Sequence, residues 1–271
     1  YVVMMSTNIM AKANRVYKTK VPVTKNQQVE AEVVDITYQG MGVIKIDNFP
    51  IFVIDAIPGE VVQVGITKVL KSYAFGRVIK RVKASPNRAE NVDKVAITTG
   101  IAPLANLKYE AQLTFKQRQV EQLFKKVNVS VEVNPTIGMT DPTKYRNKAQ
   151  VPVQMVNGQL ETGFYRRGSH KLMPVEDFYI QDPKVDEAVS VTRDVLRDLG
   201  ISAYDEETHK GVVRHIMARR GFYSHELMVV IITNTKKLPE ADNIAAALRA
   251  KLPELKSFIH NINNHDTNVI M

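Results

Sequence analysis

The stretch VEAEVVDITYQGMGVIKIDNFPIFVIDAIPGEVVQVGITKVLKSYAFGRVIKRV, residues 29–82, alternates β-rich runs with short turns. Five such runs can be distinguished, and Gly40, Asp47-Asn48 and Pro58-Gly59 lie between them. These residue types are favoured in tight turns. Short strands at this spacing are typical of a small closed sheet. The sequence therefore predicts a five-stranded all-β barrel over residues 26–84, after a flexible N-terminal segment at residues 1–25.

The second half of the barrel carries a basic strip. No acidic residue occurs between Glu60 and Glu90, where lysines and arginines accumulate around two aromatic residues. Cations neutralise phosphates, and aromatic rings stack on unpaired bases. We therefore predict that RNA is bound by Lys68, Lys71, Tyr73, Phe75, Arg77, Lys80 and Arg81. The alternative is that strand alternation turns Phe75 into the core and leaves only Tyr73 exposed.

Residues 85–108 are predicted to be a linker, because Pro86 fixes its own φ and biases Ser85 toward extended structure. A helical segment follows at residues 109–134. Its apolar residues recur with helical spacing on one face, and they are Leu113, Val120, Leu123 and Phe124. This face needs a partner.

Residues 135–271 have the pattern of a second domain. Asn157-Gly158 predicts a hairpin turn between two strands. Asp182-Pro183 predicts the start of a helix that Gly200 ends. Two strands, a second helix and a last strand follow. This order predicts an α+β domain with an antiparallel sheet and flanking helices.

Basic residues also cluster near the predicted strand ends of this domain. If the hairpins pair as expected, they form a phosphate clamp made of Arg146, Lys148, Arg166, Arg167, Arg219 and Arg220. The alternative is a solvated sheet edge that charge protects from aggregation.

The composition narrows the class of protein. Lys and Arg total 37 against 28 Asp and Glu, a net charge of +9, which attracts a polyanion such as nucleic acid. The alternative is that this charge only keeps the protein soluble. The chain has no cysteine, which excludes disulfides and thiolate ligands within it and agrees with a reducing cytoplasm. Because the N-terminus shows no long apolar run, we expect a cytoplasmic protein without a membrane partner.

Catalytic and metal motifs are not evident. His209, His215 and His225 lie near the acidic residues 205–207, but their spacing matches no metal motif. No Walker loop, dinucleotide fingerprint or nucleophile elbow occurs. We therefore predict no metal and assign no catalytic residue.

Six blocks together resemble one known family. They are VVDITYQGMGVIKID at 33–47, LKYEAQLTFKQRQV at 107–120, PTIGMTDPTKYRNKAQVPV at 135–153, TGFYRRGSHKLMPVEDFYIQD at 162–182, RHIMARRG at 214–221 and NINNHDTNVIM at 261–271. The chain resembles the bacterial RNA uracil-5-methyltransferases, especially the branch that modifies 23S ribosomal RNA. The resemblance implies that the barrel is an OB-like TRAM domain and that residues 135–271 form the family's central domain. It also implies that the helix near 109–127 packs onto a catalytic domain.

The resemblance has consequences for cofactors. Many family members hold an iron–sulfur cluster with four cysteines, three ahead of the helix and one near the position of Phe178. This chain is similar to a member without the cluster. The S-adenosylmethionine site, the cysteine nucleophile and the general base of the family correspond to positions beyond Met271. The chain is therefore expected to be a truncated, inactive part that binds 23S ribosomal RNA and needs no obligate protein partner.

Two other functions stay open from the sequence. The first is that the chain acts as a stand-alone RNA-binding or ribosome-associated module. The second is that its central domain is itself an enzyme of unknown type.

Overall fold

The computed structural model describes residues 21–266 and 269–271. Most of the segment predicted to be flexible, residues 1–25, lies outside the described residues. Within the described part, Val23 is buried in the core of the first sheet, and the Asn26 amide donates to the Ile66 carbonyl. The barrel therefore begins before the predicted boundary at residue 26.

The first sheet contains β1 (Gln28–Glu32), β2 (Asp35–Ile36), β3 (Met41–Ile46), β4 (Phe49–Ile54), β5 (Val61–Val69) and β6 (Ala74–Lys83), in the spatial order β1-β5-β6-β4-β3-β2. Only the β4–β6 pair is parallel. The first predicted run is split, so that β1 pairs with β5 while β2 pairs with β3. The Val34 amide also donates to the Val43 carbonyl over 2.9 Å. One interrupted strand thus closes the sheet into a barrel.

The barrel core follows the alternation of the strands. Inward positions carry β-branched residues without exposed surface, which are Ile44, Ile51, Val53, Val62 and Val64. Burial of each such side chain contributes about 1.5–3 kcal/mol relative to exposure. The period of two in the sequence therefore predicts the barrel correctly.

Residues 85–108 are more than the predicted linker. They contain α1 (Lys94–Thr99), which Asp93 caps by accepting the Val95 and Ala96 amides at 2.8 and 3.1 Å. Ala96, Ile97 and Ala105 are buried in a small cluster against which Tyr179 packs. The apolar residues of this segment show no regular period, so the sequence pattern did not indicate a packed element.

Helix α2 (Tyr109–Lys126) makes up most of the predicted helical segment 109–134, and residues 127–134 follow it outside the helix. Its first half packs on the barrel, because Ala111 and Phe115 contact the cluster of Ile36, Ile57 and Leu107. In its second half, Val120, Leu123 and Phe124 are exposed. The chain then runs back along the helix, with Gln117 Nε2 donating to the Val133 carbonyl and the Met139 amide donating to the Tyr109 hydroxyl.

The second sheet contains β7 (Lys148–Val156), β8 (Gln159–Tyr165), β9 (Leu172–Pro174), β10 (Val213–Arg220), β11 (Leu227–Thr233) and β12 (Leu255–Ile262), in the order β12-β11-β10-β7-β8-β9. Helix α3 (Pro183–Asp198) follows β9, and α4 (Ala241–Lys251) connects β11 to β12. The prediction of an antiparallel sheet is wrong at one edge, because β11 and β12 are parallel. A helix that crosses between neighbouring strands returns the chain in the same direction.

Both helices cover the same face of this sheet. Val151, Ile216 and Val229 share a core with Leu196 of α3 and Leu248 of α4. The alternate residues face the other way and form the helix-free face, on which Met217, Val230 and Ile232 make a smaller cluster with Ile270. Within the described ranges, no helix has the length and apolar character of a membrane span.

Candidate RNA-binding surface

Three aromatic rings lie together on the outside of the barrel. Ala74 and Gly76 point inward and are buried, so Phe75 between them points outward. Its ring centroid lies 6.0 Å from that of Phe52 and 5.5 Å from that of Tyr73, and the Phe52 and Tyr73 centroids are 5.5 Å apart. The alternative that Phe75 belongs to the core is therefore wrong. We call Phe52, Tyr73 and Phe75 the ring cluster.

Free cations surround the ring cluster. Lys68 is the register partner of Phe75, and Arg77 is the partner of Ile54 on the parallel strand. The exposed cations of the predicted strip are Lys68, Lys71, Arg77 and Lys80. Within the part of the chain that the structure describes, no ion pair or side-chain hydrogen bond engages them. Their charge is available to a ligand.

Arg81 has a different environment, although it was predicted to bind RNA. Its Nε lies 2.9 Å from Oε1 of the fully buried Glu60, and its Nη2 lies 3.5 Å from Asp55. Arg88 joins the same network, with its Nε 2.6 Å from Glu60. The two arginines neutralise a carboxylate inside the fold, so we remove Arg81 from the candidate RNA surface.

Electrostatics explains how Glu60 stays ionised. Burial by itself raises the pKa of a carboxyl group. Hydrogen bonds from Arg88 and the Ile57 amide, together with the charges of Arg88 and Arg81, more than offset this, so the pKa of Glu60 is lowered. Burial alone would lower the pKa of Arg88, but its hydrogen bonds to Glu60 and Asp55 and the charges of these two carboxylates together outweigh burial and raise it.

A groove of about 980 Å³ separates the barrel from the loop between β8 and β9. Phe52, Phe75 and Lys68 line the barrel side, and Arg167 lines the other side. Tyr38, which is 73% exposed, stands at the groove as well. The structure thus places Arg167, which was predicted as part of the phosphate clamp of the central domain, across a groove from the basic strip of the barrel.

Arg167 is fixed in this position by the backbone. Its amide donates to the Thr98 carbonyl over 3.1 Å, and its Nη2 donates to the Gln39 carbonyl over 2.9 Å. Gly100 leaves the space for the guanidinium, because a Cβ at this position would lie 2.6 Å from Arg167 Nε. Burial lowers the pKa of Arg167. The residue connects the central domain, α1 and the barrel.

The other predicted cations of the central domain gather at one end of its sheet. Lys148 at the start of β7 is the register partner of Arg219 near the end of β10. Arg146 is exposed, and its Nε donates to the Lys148 carbonyl over 3.0 Å. Arg166 is exposed in the loop after β8, which ends at the same side of the sheet. The sheet thus places these residues toward the same end, and their role as a phosphate clamp stays a prediction.

Arg220 departs from that prediction. Its Nε lies 2.7 Å from Glu254 and its Nη1 lies 3.2 Å from Asp182. The hydrogen bond to Glu254 is the main reason that the pKa of Arg220 is raised. Arg220 therefore ties the end of β10 to α3 and to the start of β12, and we remove it from the candidate surface.

The histidines do not converge. The Nδ1 atom of His209 is 2.8 Å from the Tyr204 hydroxyl, whereas that of His170 is 2.6 Å from Glu206. Burial, aided by the charge of Arg214, lowers the pKa of His215 to about 4. In the described residues, no group of three or more His, Asp or Glu side chains could hold a metal ion. The absence of a metal stays a prediction.

Comparison with known proteins agrees with this geometry. Residues 22–79 match the TRAM domain family. The barrel is therefore similar to a TRAM domain. The sequence pattern missed Tyr38 and Phe52, which lie outside the basic strip and join the groove only through the pairing of the barrel strands.

Relatives are found over almost the whole chain. It is 54% identical over 255 residues to an uncharacterized RNA methyltransferase of Lactiplantibacillus plantarum, with 94% of this chain and 56% of that protein covered. It is 44% identical over 251 residues to an uncharacterized RNA methyltransferase of Enterococcus faecalis, with 92% and 55% covered. The chain therefore spans about half the length of the curated relatives it matches. These relatives support the predicted resemblance at the level of RNA methyltransferases.

A solved structure shares the fold. The Pyrococcus abyssi tRNA (uracil-54, C5)-methyltransferase, crystallised with S-adenosyl-L-homocysteine, superposes with a TM-score of 0.62 at 20% identity. The match covers 89% of this chain and 53% of that protein. The arrangement of a barrel beside a mixed sheet is thus present in a protein of known structure.

Proposed function

We propose that this chain is the RNA-binding part of an S-adenosylmethionine-dependent RNA uracil-5-methyltransferase, and that its substrate is 23S ribosomal RNA. The observation that carries the proposal is the groove in which Phe75 and Lys68 of the TRAM domain face Arg167 of the central domain. The relatives named as RNA methyltransferases support the reaction class. The 23S substrate rests on the sequence resemblance.

The groove has the chemistry of an RNA site. Cations on its two sides attract phosphates from both, and the ring cluster offers a surface on which an unpaired base stacks. Because Arg167 is held by two backbone carbonyl contacts, its charge is already in place before RNA arrives. A uracil inside folded RNA must be unstacked before it reacts, and phosphate contacts elsewhere offset that cost.

The same groove does not fit S-adenosylmethionine. The cofactor carries a sulfonium cation, and the groove presents Lys68 and Arg167, whose charges repel it. Activation of uracil at C5 also needs a nucleophile that adds at C6, a role that a thiolate fills in the family, and the chain contains no cysteine. We therefore propose that residues outside these 271 bind the methyl donor and carry out the covalent step.

The reaction and substrate can be tested in cells. In a strain from which the gene is deleted, mass spectrometry of nucleosides should show loss of 5-methyluridine from 23S ribosomal RNA, whereas transfer RNA keeps it. Restoring the gene should restore the methyl group. Loss from transfer RNA alone would refute the 23S substrate. Unchanged 5-methyluridine in both RNAs would refute the methyltransferase role and favour a stand-alone RNA-binding module.

A further inference from the structure

An aromatic tip at the turn between β10 and β11 has no role in the groove. Phe222 is 72% exposed and Tyr223 is 91% exposed, which makes Tyr223 the most exposed aromatic side chain in the described part of the chain. Two adjacent aromatic side chains in water forgo the stabilisation that burial would give each of them. Exposure of this extent suggests a ligand for the rings.

The tip is an ordered turn. The Gly221 amide donates to the Glu226 carbonyl over 2.9 Å, and the His225 amide donates back to the Gly221 carbonyl over 3.0 Å. At its base, Asn147 Nδ2 donates to the Arg220 carbonyl over 3.1 Å. The ion pairs of Arg220 with Glu254 and Asp182 fix the same point. The rings are therefore presented on a rigid support, which lowers the entropy lost when they bind.

Unpaired cations lie next to the tip. Arg219 is exposed, and Lys148 is its cross-strand partner on the helix-free face. Neither side chain has a hydrogen bond or ion pair among residues 21–266 and 269–271. Glu226 is the acidic residue within the turn, so the local charge stays positive. Rings bordered by free cations suit a nucleic acid better than an apolar protein surface.

The ring geometry limits the occupant. The Phe222 and Tyr223 centroids are 5.0 Å apart, with the planes at 90°, so one flat base cannot stack on both rings. Tyr223 is the more exposed of the two rings, so it is the ring that is available for stacking. Because the faces of bases inside a duplex are covered by their neighbours, the matching ligand is a base in a loop or bulge.

We propose that the Phe222–Tyr223 tip is a second RNA contact, at which Tyr223 stacks on one unpaired base while Arg219 and Lys148 bind the adjacent phosphates. This inference rests on the proposed function, because it requires that the chain binds RNA. Arg167 of the groove lies in the loop after β8, and the tip lies in the turn after β10. These two strands are two positions apart in the sheet, a separation of about 10 Å. A single-stranded stretch of a few nucleotides can therefore reach from the groove to the tip.

The chain contains no tryptophan, so Tyr223→Trp provides a unique fluorescent reporter. The probe is an RNA hairpin with a six-nucleotide unpaired loop, and a blunt duplex of the same stem is the comparison. Emission of the Tyr223→Trp variant should be quenched by the hairpin and not by the duplex. The matched control is Ile137→Trp, at a position 96% exposed and outside the tip, whose emission should not change.

Affinity gives the second readout. Tyr223→Ala should bind the hairpin roughly tenfold more weakly, whereas Tyr223→Phe and Ile137→Ala should bind as the unaltered chain does. Circular dichroism checks that each variant is folded. Tight binding of the hairpin without quenching at the tip would overturn this inference and leave the proposed function standing. If no variant and not even the unaltered chain bound the hairpin, the proposed function would fail together with it.

Discussion

The barrel and the central sheet each contain a pair of adjacent basic residues whose side chains have opposite roles. In the barrel, Lys80 is exposed while Arg81 contacts the buried Glu60. In the central sheet, Arg219 is exposed while Arg220 contacts Glu254 and Asp182. The two regions differ in where the acidic partner lies, because Glu60 has no exposed surface whereas Glu254 and Asp182 are partly exposed. Stability should therefore depend more on the Glu60 ion pairs than on those of Arg220.

The largest expected effect is on the buried network of the barrel. Glu60→Gln removes the charge that compensates Arg81 and Arg88, and it should lower the free energy of unfolding by about 3–5 kcal/mol. Urea denaturation measures this loss. The matched control is Glu32→Gln, an exposed residue of the same barrel, which should change stability by less than about 0.5 kcal/mol. Equal stability of the two variants would show that the barrel does not rely on this network.

Acid should remove the contribution of His215 to the central sheet before it removes that of Glu60 to the barrel. The pKa of His215 is lowered from 6.5 to about 4, so the unfolded chain takes up a proton at higher pH than the folded protein does. The contribution of neutral His215 to the stability of the folded protein is complete above pH 6.5 and is lost as the pH falls toward 4. Glu60, whose pKa is lowered from 4.5, keeps its stabilising effect until the pH falls below that value.

The His215→Gln variant isolates this contribution. Between pH 7 and pH 5 it should lose about 1–2 kcal/mol less stability than the unaltered chain, as measured from urea midpoints at both pH values. Asp186 acts in the opposite sense. Burial raises its pKa to about 6, so its contribution is complete below 3.8 and is lost as the pH rises toward 6. Identical pH slopes for His215→Gln and the unaltered chain would contradict the role of His215.

The ring cluster should matter for RNA and not for folding. Phe75→Ala removes the central ring and should weaken binding of an unpaired RNA loop roughly tenfold. Arg77→Ala should reduce the slope of log affinity against log salt by about one. Fluorescence anisotropy at several salt concentrations measures both effects. Lys251→Ala, an exposed lysine at the end of α4 and outside the groove lining, is the control, and an equal loss in it would argue against a localised surface.

The smallest effects should separate the arginines of the central sheet. Arg220→Ala should lower the free energy of unfolding by about 1 kcal/mol, because its ion pairs are partly exposed, with little direct effect on RNA. Arg219→Ala should leave stability unchanged and weaken RNA binding a few-fold. Both variants are measured by urea denaturation and by anisotropy. If their effects were interchanged, the assignment of the two arginines would be wrong.

Sequence patterns predicted much of this fold, because strands and tight turns are determined by residues that are close together in the sequence. The period of two in residues 29–82 and the Asn157-Gly158 turn both led to the strands that the structure contains. The parallel pairing of β11 with β12 could not be predicted in this way, because it depends on how α4 crosses between the two strands. The order of strands and helices along the sequence does not specify that crossing. Helix α1 was missed because its buried residues are few and without a regular period.

The sequence predicted which types of residue form the candidate RNA surface, but it predicted only part of how their side chains are oriented and paired. Strand alternation alone left the orientation of Phe75 open, and the bulges between β5 and β6 shift that alternation along the strand. Arg81 and Arg220 were assigned to RNA because their acidic partners are distant in sequence. The contact of Arg167 with Gln39 joins residues of different domains, and no local pattern contains that information.

The split first strand of the barrel sets an order for folding during synthesis. Gln28 in β1 pairs with Gly65 in β5, so β1 leaves the ribosome well before its partner exists. At about 5–20 residues per second, the wait lasts roughly 2–7 s. During that interval Glu30 and Glu32, which are exposed on β1 in the finished barrel, keep the lone strand charged, and charged edges resist pairing with other nascent chains.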